Sequence, residues 1–160
     1  MNKLYLAYGS NLNQIQMKFR CPQATFVGTT ELENYKLTYR DNGGGWGVMN
    51  IEACKDNKIP VGIYSITQED EKELDRYEGF PYLYRKEVLQ VKLNDKKVEV
   101  MVYVMNEEGH PYANPTEGYY NIIYQGYKNC GFDTKYLRQV TELNKQNVKK
   151  ENKQWIHKNK

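Results

Sequence analysis

An apolar run, Leu4-Tyr5-Leu6-Ala7, starts almost at the N-terminus and breaks abruptly at Tyr8-Gly9-Ser10-Asn11. The run reads as a strand over Leu4–Tyr8. A short helix follows over Asn13–Phe19, and Cys21-Pro22 ends it, because proline biases the residue before it away from the helical region. A strand that turns through Gly-Ser-Asn into a helix leaves backbone N–H groups unpaired at the turn. Such groups form a cradle for an anion or a developing oxyanion.

The rest of the pattern is strands first, one inserted helix, a hairpin, then helices. Ala24–Val27, Tyr35–Arg40, Trp46–Ala53 and Val61–Ile66 carry strand-like apolar positions, with a flexible turn at Asp41-Asn42-Gly43-Gly44-Gly45. Thr67 caps a helix whose first turn is acidic, and Gly79 ends it. Tyr84–Leu93 and Val98–Met105 form a hairpin around Asn94-Asp95. Pro115-Thr116 opens a helix with Tyr119, Ile122, Ile123, Gly126 and Tyr127 on one face, closed by Gly131. Asp133-Thr134 starts the last helix, with Tyr136, Leu137, Val140 and Leu143 as its inner stripe. This is an α+β order rather than alternating β-α units. Several consecutive strands in so short a chain predict a curled sheet or small barrel with helices outside.

The 160 residues fit one domain with a single core. We place it at residues 1–144, followed by a basic polar tail at 145–160. That tail holds six Lys and one Glu within a chain of net charge +3, so the body is slightly acidic. The body has no basic stripe or nucleic-acid motif, so the tail reads as a solvated terminal helix and no nucleic-acid partner is expected. No apolar run approaches the roughly 20 residues that span a bilayer. No charged-then-apolar leader precedes the first strand. Three scattered cysteines and two histidines form no Cys/His metal-ligand spacing, so a zinc site is not expected. Free thiols in a leaderless chain suit a reducing cytoplasm. A homodimer is left open.

Much familiar chemistry is excluded. Serine occurs only at Ser10 and Ser65, and the histidines, His110 and His157, lie late in turn-like or polar segments. A Ser-His-Asp triad is therefore not expected. Gly43-Gly44-Gly45-Trp46-Gly47 lacks the ending of a Walker loop and opens no helix. Carboxylate chemistry remains, helped by tyrosines, of which there are 15, and backbone amides. Glu78 stands out. It ends its helix, facing the negative end of the dipole, and Phe80, Tyr82 and Tyr84 follow closely. Both features tend to raise a carboxylate pKa, and a carboxylate tuned upward is a better base near neutrality.

Three segments carry a family resemblance. Leu4-Tyr5-Leu6-Ala7-Tyr8-Gly9-Ser10-Asn11-Leu12 resembles the opening signature of the gamma-glutamylcyclotransferase (AIG2-like) family. Leu74-Asp75-Arg76-Tyr77-Glu78-Gly79, with Tyr84 and Val88–Val91, is similar to its second signature. Pro115 to Gly126, then Gly131 and Tyr136-Leu137, resembles its C-terminal helix pair. Together they span about residues 3–144 in the family's order.

The resemblance implies a small mixed β-barrel with flanking helices and a cofactor-free intramolecular aminolysis. The α-amine of a γ-glutamyl group attacks its own γ-carbonyl, giving 5-oxoproline and a free amine or amino acid. It implies Glu78 as the catalytic acid/base. It implies Tyr5, Leu6, Ala7, Tyr8, Gly9, Ser10 and Asn11 as the substrate-binding segment, with Tyr119 from the later helix. Tyr84 and Trp46 are expected to wall the pocket. Nothing activates Ser10 as a nucleophile, so it belongs to the cradle. The short, Gly-rich 43–47 loop leaves the leaving group open. A γ-glutamyl amine, a γ-glutamyl amino acid or a γ-glutamylated biosynthetic intermediate would each fit. The alternative is a protein that binds a small metabolite in the same pocket without turnover.

Overall fold

The computed structural model describes residues 2–159. Five strands, β1 (Lys3–Ala7), β2 (Thr25–Asp41), β3 (Gly47–Ile66), β4 (Tyr84–Leu93) and β5 (Lys96–Met105), form one sheet in the order β2-β3-β1-β5-β4. Four helices accompany it: α1 (Gln14–Arg20), α2 (Gln68–Glu78), α3 (Glu117–Cys130) and α4 (Thr134–Lys158). The first strand is thus the central one. It pairs antiparallel with β3 along its whole length and parallel with β5 at Tyr5–Met101.

Two expectations change. The four short strands predicted between Ala24 and Ile66 are two long ones. β2 and β3 pair from Thr25–Ser65 to Asp41–Gly47, with irregularities near Gly28 and Asn34. The buried cross-strand pair Leu32–Ile59 holds together stretches too polar to read as strand. Pro60, which has no N–H to give a ladder, sits just beyond Gly62, where β1 stops pairing with β3. The second change concerns closure. Among the described residues no backbone ladder joins β2 to β4, so the sheet is open and not a barrel. It does curl: the Thr30 hydroxyl donates to the Lys92 carbonyl across the two edges.

The helix ends follow their caps. Thr67 and Asp70 form a reciprocal capping box at α2, and Gly79 closes that helix with φ 65°. Thr116 and Asp133 cap α3 and α4, and Gly131 ends α3 with φ 73°. Asn94 and Asp95, at φ 52° and 64°, make the two-residue turn of the β4–β5 hairpin. The inner stripe of α4 departs from expectation. Leu143 is 56% exposed, and the buried positions are Leu137, Thr141 and Asn144. Asn144 faces inward because Tyr39 N–H donates to its Oδ1 and its Nδ2 donates to the Ala113 carbonyl. α4 continues without a break through Lys145 to Lys158, and Glu151 accepts a hydrogen bond from Tyr112 N–H. No helix of the described residues is long and apolar enough to cross a membrane.

α3 buttresses the turn after β1. Asn13 Nδ2 donates to the Ile122 carbonyl, and Gln14 N–H donates to Asn129 Oδ1. The approach is close: a Cβ on Gly126 would lie 2.6 Å from Asn13 N and 2.7 Å from Leu12 C. Both are backbone atoms and cannot swing aside. Gly126→Ala is therefore expected to destabilise the fold by about 1–3 kcal/mol, measurable by denaturant unfolding.

Candidate active site

Beyond Ala7 the chain leaves the sheet and makes a 3-10 turn over Ser10–Leu12. Leu12 N–H closes it onto the Gly9 carbonyl, and Asn13 N–H onto the Ser10 carbonyl, both at 3.0 Å. The N–H groups of Gly9, Ser10 and Asn11 take no part in those closing bonds. The turn lines a cavity of about 220 Å³ together with Tyr5, Tyr8, Tyr84, Tyr119 and Glu78. Gly9 is needed for closeness: a Cβ there would sit 3.2 Å from Met49 Cβ and 3.6 Å from the Tyr119 hydroxyl.

The tyrosines are fixed by backbone partners. Tyr8 donates to the Tyr103 carbonyl at 2.7 Å, and Tyr84 donates to the Met49 carbonyl at 2.8 Å. Met49 N–H donates to the Tyr119 hydroxyl at 3.0 Å. Burial raises the pKa of Tyr5, Tyr8, Tyr84 and Tyr119, and the Glu78 charge pushes the same way. These side chains are neutral phenols at any physiological pH, which rules them out as bases.

Glu78 is the last residue of α2 and lines the same cavity. Burial raises its pKa from the ordinary 4.5 to about 7, against the opposing pull of the Arg20 guanidinium. The residue as a whole is only half-buried. The rise therefore reflects protein atoms crowding the carboxylate, with its access to solvent left through the cavity mouth. Near pH 7 such a group holds and releases a proton with equal ease.

Asn11 does something other than face the cavity with a free amide. Its Nδ2 donates to the Tyr5 hydroxyl at 2.9 Å and its carbonyl accepts from the Tyr64 hydroxyl at 2.9 Å. Its Oδ1 accepts from Arg20 Nη1 at 2.5 Å. The side chain therefore braces the turn. Ser10 Oγ lies 3.0 Å from the Tyr77 hydroxyl. His110 is engaged elsewhere, with Nδ1 against the Asp41 carbonyl, and no histidine among the described residues lines the cavity with this serine.

The structure thus brings Tyr5, Tyr8, Gly9, Ser10, Asn11, Glu78, Tyr84 and Tyr119 to one cavity. Leu6 and Ala7 are buried in the core and do not line it. Trp46 is 56% exposed and does not line it either; its loop reaches the cavity through Asn42. Sequence reasoning missed Met49, Tyr77 and Tyr103. Tyr77 is adjacent to Glu78. Tyr103 lies two residues beyond Met101, the β5 partner of Tyr5, so knowledge of the pairing would have found it. No local signal marks Met49.

Comparison with known proteins bears on the family and the fold. A family model described as "Gamma-glutamyl cyclotransferase, AIG2-like" matches residues 5–124. Human gamma-glutamylcyclotransferase is 28% identical over 151 residues, covering 88% of this chain and 78% of the human protein. The bovine protein of the same name is 26% identical over 149 residues, with the same coverage. A solved structure of a gamma-glutamyl cyclotransferase superposes with a TM-score of 0.78 at 24% identity, covering 88% of this chain and 86% of its own, and so shares the fold.

Proposed function

This chain belongs to the gamma-glutamyl cyclotransferase, AIG2-like family, and we propose on that footing that it cyclises a γ-glutamyl compound to 5-oxoproline. The observation that carries the reading is a carboxyl poised at about pKa 7 in the cavity that the Gly9–Asn11 turn lines.

The substrate amine arrives largely as ammonium. Ionised Glu78 attracts it and takes one proton, freeing the nitrogen lone pair. That nitrogen attacks the γ-carbonyl carbon of its own glutamyl group. The electrons of the C=O bond move to oxygen, and the backbone N–H groups of the turn stabilise the oxyanion. When the oxyanion collapses, the bond from carbon to the leaving nitrogen breaks. Glu78 returns its proton to that nitrogen. The ring nitrogen then gives up its own extra proton through the restored carboxylate to the departing amine, which leaves as ammonium while Glu78 ends ionised, as it began. Because the nucleophile is already tethered, the walls need only hold the chain folded, which is the task of the rigidly bonded tyrosines.

The cavity's size argues for which part is enclosed. Pockets for drug-sized ligands run from about 300 to 1,000 Å³. About 220 Å³ suits a glutamyl-sized group, with the departing amine at the mouth. The leaving group is an amine, an amino acid or a larger amine-bearing intermediate. The rival reading is a metabolite-binding protein that uses the same pocket. Such a binder gains nothing from an unpaired, partly protonated carboxyl in its site.

The test is a panel of γ-glutamyl amines and γ-glutamyl amino acids with 5-oxoproline detection. The expected result is 5-oxoproline and free amine in equal amounts from at least one member. The acid limb of kcat/KM should report a group near pH 7, with activity lost below it as Glu78 protonates. Tight binding without product on prolonged incubation would establish the binder instead.

A further inference from the structure

Arg20, the last residue of α1, does not line the cavity, yet it touches both halves of the site. Its Nη1 donates to Asn11 Oδ1 at 2.5 Å and its Nη2 to Gln16 Oε1 at 3.1 Å. Its Cζ lies 3.5 Å from the centre of the Tyr77 ring. Asn11 belongs to the cradle, and Tyr77 directly precedes Glu78. The Tyr77 hydroxyl in turn meets Ser10 Oγ at 3.0 Å, so a closed loop of contacts joins the turn after β1 to the end of α2.

We propose that Arg20 is a positioning residue for the cyclisation: it clamps the anion cradle to the segment bearing Glu78 and holds its fixed positive charge over the ring of Tyr77, the residue before the base. This rests on the cyclotransferase reading of the site.

The surroundings of Glu78 leave Arg20 as the charge that acts on it. β1 and the residue after it present Tyr5 and Tyr8, α2 presents Tyr77, β4 presents Tyr84 and α3 presents Tyr119. Tyr5, Tyr8, Tyr84 and Tyr119 are held neutral by burial. Asp75, nearly one turn before Glu78, accepts from the Tyr103 hydroxyl and pairs with Lys86 at 2.9 Å, so its charge is compensated. Arg85 acts on Tyr8 rather than on the base. Arg20 alone opposes the effect of burial on Glu78.

A guanidinium can donate to two side chains while lying flat on a ring, whereas an ammonium supplies charge without that planar fork. Two variants therefore separate the clamp from the charge. In Arg20→Met, the carbon NMR titration of the Glu78 carboxyl should move above the wild-type value by roughly half a pH unit or more. The acid limb of kcat/KM should move with it, with about a twofold loss at pH 7 for a half-unit shift, larger for a larger shift, that vanishes by pH 9. In Arg20→Lys the titration and the acid limb should stay near wild type, while KM rises because the cradle is loosened. An Arg20→Met protein that folds but titrates and turns over like wild type overturns the proposal. Should Arg20→Met not fold, Arg20→Lys decides: an unchanged KM overturns it. If wild type releases no 5-oxoproline from any compound, the cyclotransferase reading fails and the positioning role falls with it. The NMR titration, which needs no turnover, still shows whether Arg20 sets the Glu78 charge state. The two failures are therefore distinguishable.

Discussion

Glu52→Ala should lower the stability of the fold by about 3–5 kcal/mol, the usual cost of leaving one member of a buried ion pair behind. Arg40 on β2 and Glu52 on β3 have side chains only 8% and 5% exposed. Arg40 Nε donates to Glu52 Oε2 at 2.8 Å and Nη2 to Oε1 at 3.0 Å, a two-pronged pairing that a lysine could not copy. Thr38 also donates to Glu52, Arg40 Nη1 donates to the His110 carbonyl, and the guanidinium lies over the Tyr112 ring. Removing the carboxylate would strand a cation among groups that cannot neutralise it. In a domain of this size the loss corresponds to a fall in Tm on the order of 10 °C. Replacing both partners, as in Arg40→Met with Glu52→Leu, should recover most of it, because no charge is then left buried.

Acid should mimic the single substitution. Burial pushes the Glu52 carboxyl upward, but the hydrogen bonds from Arg40 and Thr38 outweigh it, and its pKa lies below the ordinary 4.5. The unfolded chain therefore takes up this proton first as pH falls. The stabilisation is complete above the unfolded value and is lost as pH drops through the folded one. Wild-type stability should fall in that window, and Glu52→Ala should lack this part of the decline. Equal acid sensitivity in the two proteins would contradict the assignment.

How much of this could be read in the sequence depended on what each residue does with its polar groups. Helix ends were legible because caps are local: Thr67 and Gly79 bound α2 through contacts a few residues apart. The hairpin at Asn94-Asp95 was legible for the same reason. The long β2–β3 pairing was not. Its middle is a polar ribbon in which Leu32 and Ile59 supply an isolated apolar contact, and Pro60 reads as a breaker unless one knows that β1 stops short of it. The phase of α4 was misread at Leu143 because hydrophobicity favours leucine inward. Asn144 takes the inner place by giving and accepting hydrogen bonds with backbone distant in sequence. The expectation of closure into a barrel failed at β2 and β4, which meet through a side chain and not through a ladder.

The site divides along the same line. The Gly9–Asn11 turn was legible from local chemistry, a strand that breaks into a turn, whereas Glu78 was set apart from other carboxylates by the family resemblance and not by its helix end alone. Leu6 and Ala7 were carried along with that motif, but they fill the core. The bracing role of Asn11 needs Arg20 and Tyr64 in place, and neither is announced by the motif itself.

Glu78→Gln is expected to lose turnover by about 10²–10⁴-fold, the typical contribution of a positioned general acid/base. The same substitution should stabilise the fold in alkali. The native carboxyl binds its proton more tightly than the unfolded one, so wild type is most stable below the unfolded value and loses stability as pH rises to about 7. The difference between 4.5 and about 7 corresponds to at most about 3 kcal/mol. A neutral amide avoids that cost. Glu78→Gln should therefore match wild type near pH 4 and exceed it at pH 8, with a Tm several degrees higher. A variant that is less stable than wild type at pH 8 would mean the carboxylate holds the fold together instead of straining it.

The most direct measurement is 5-oxoproline release at pH 8 by wild type and Glu78→Gln, on whichever γ-glutamyl compound wild type processes best. Thermal unfolding of both proteins should be recorded in the same buffer. The account predicts at least about a hundredfold loss of release in a variant that is folded and no less stable. Release from Glu78→Gln at a rate close to wild type would contradict it.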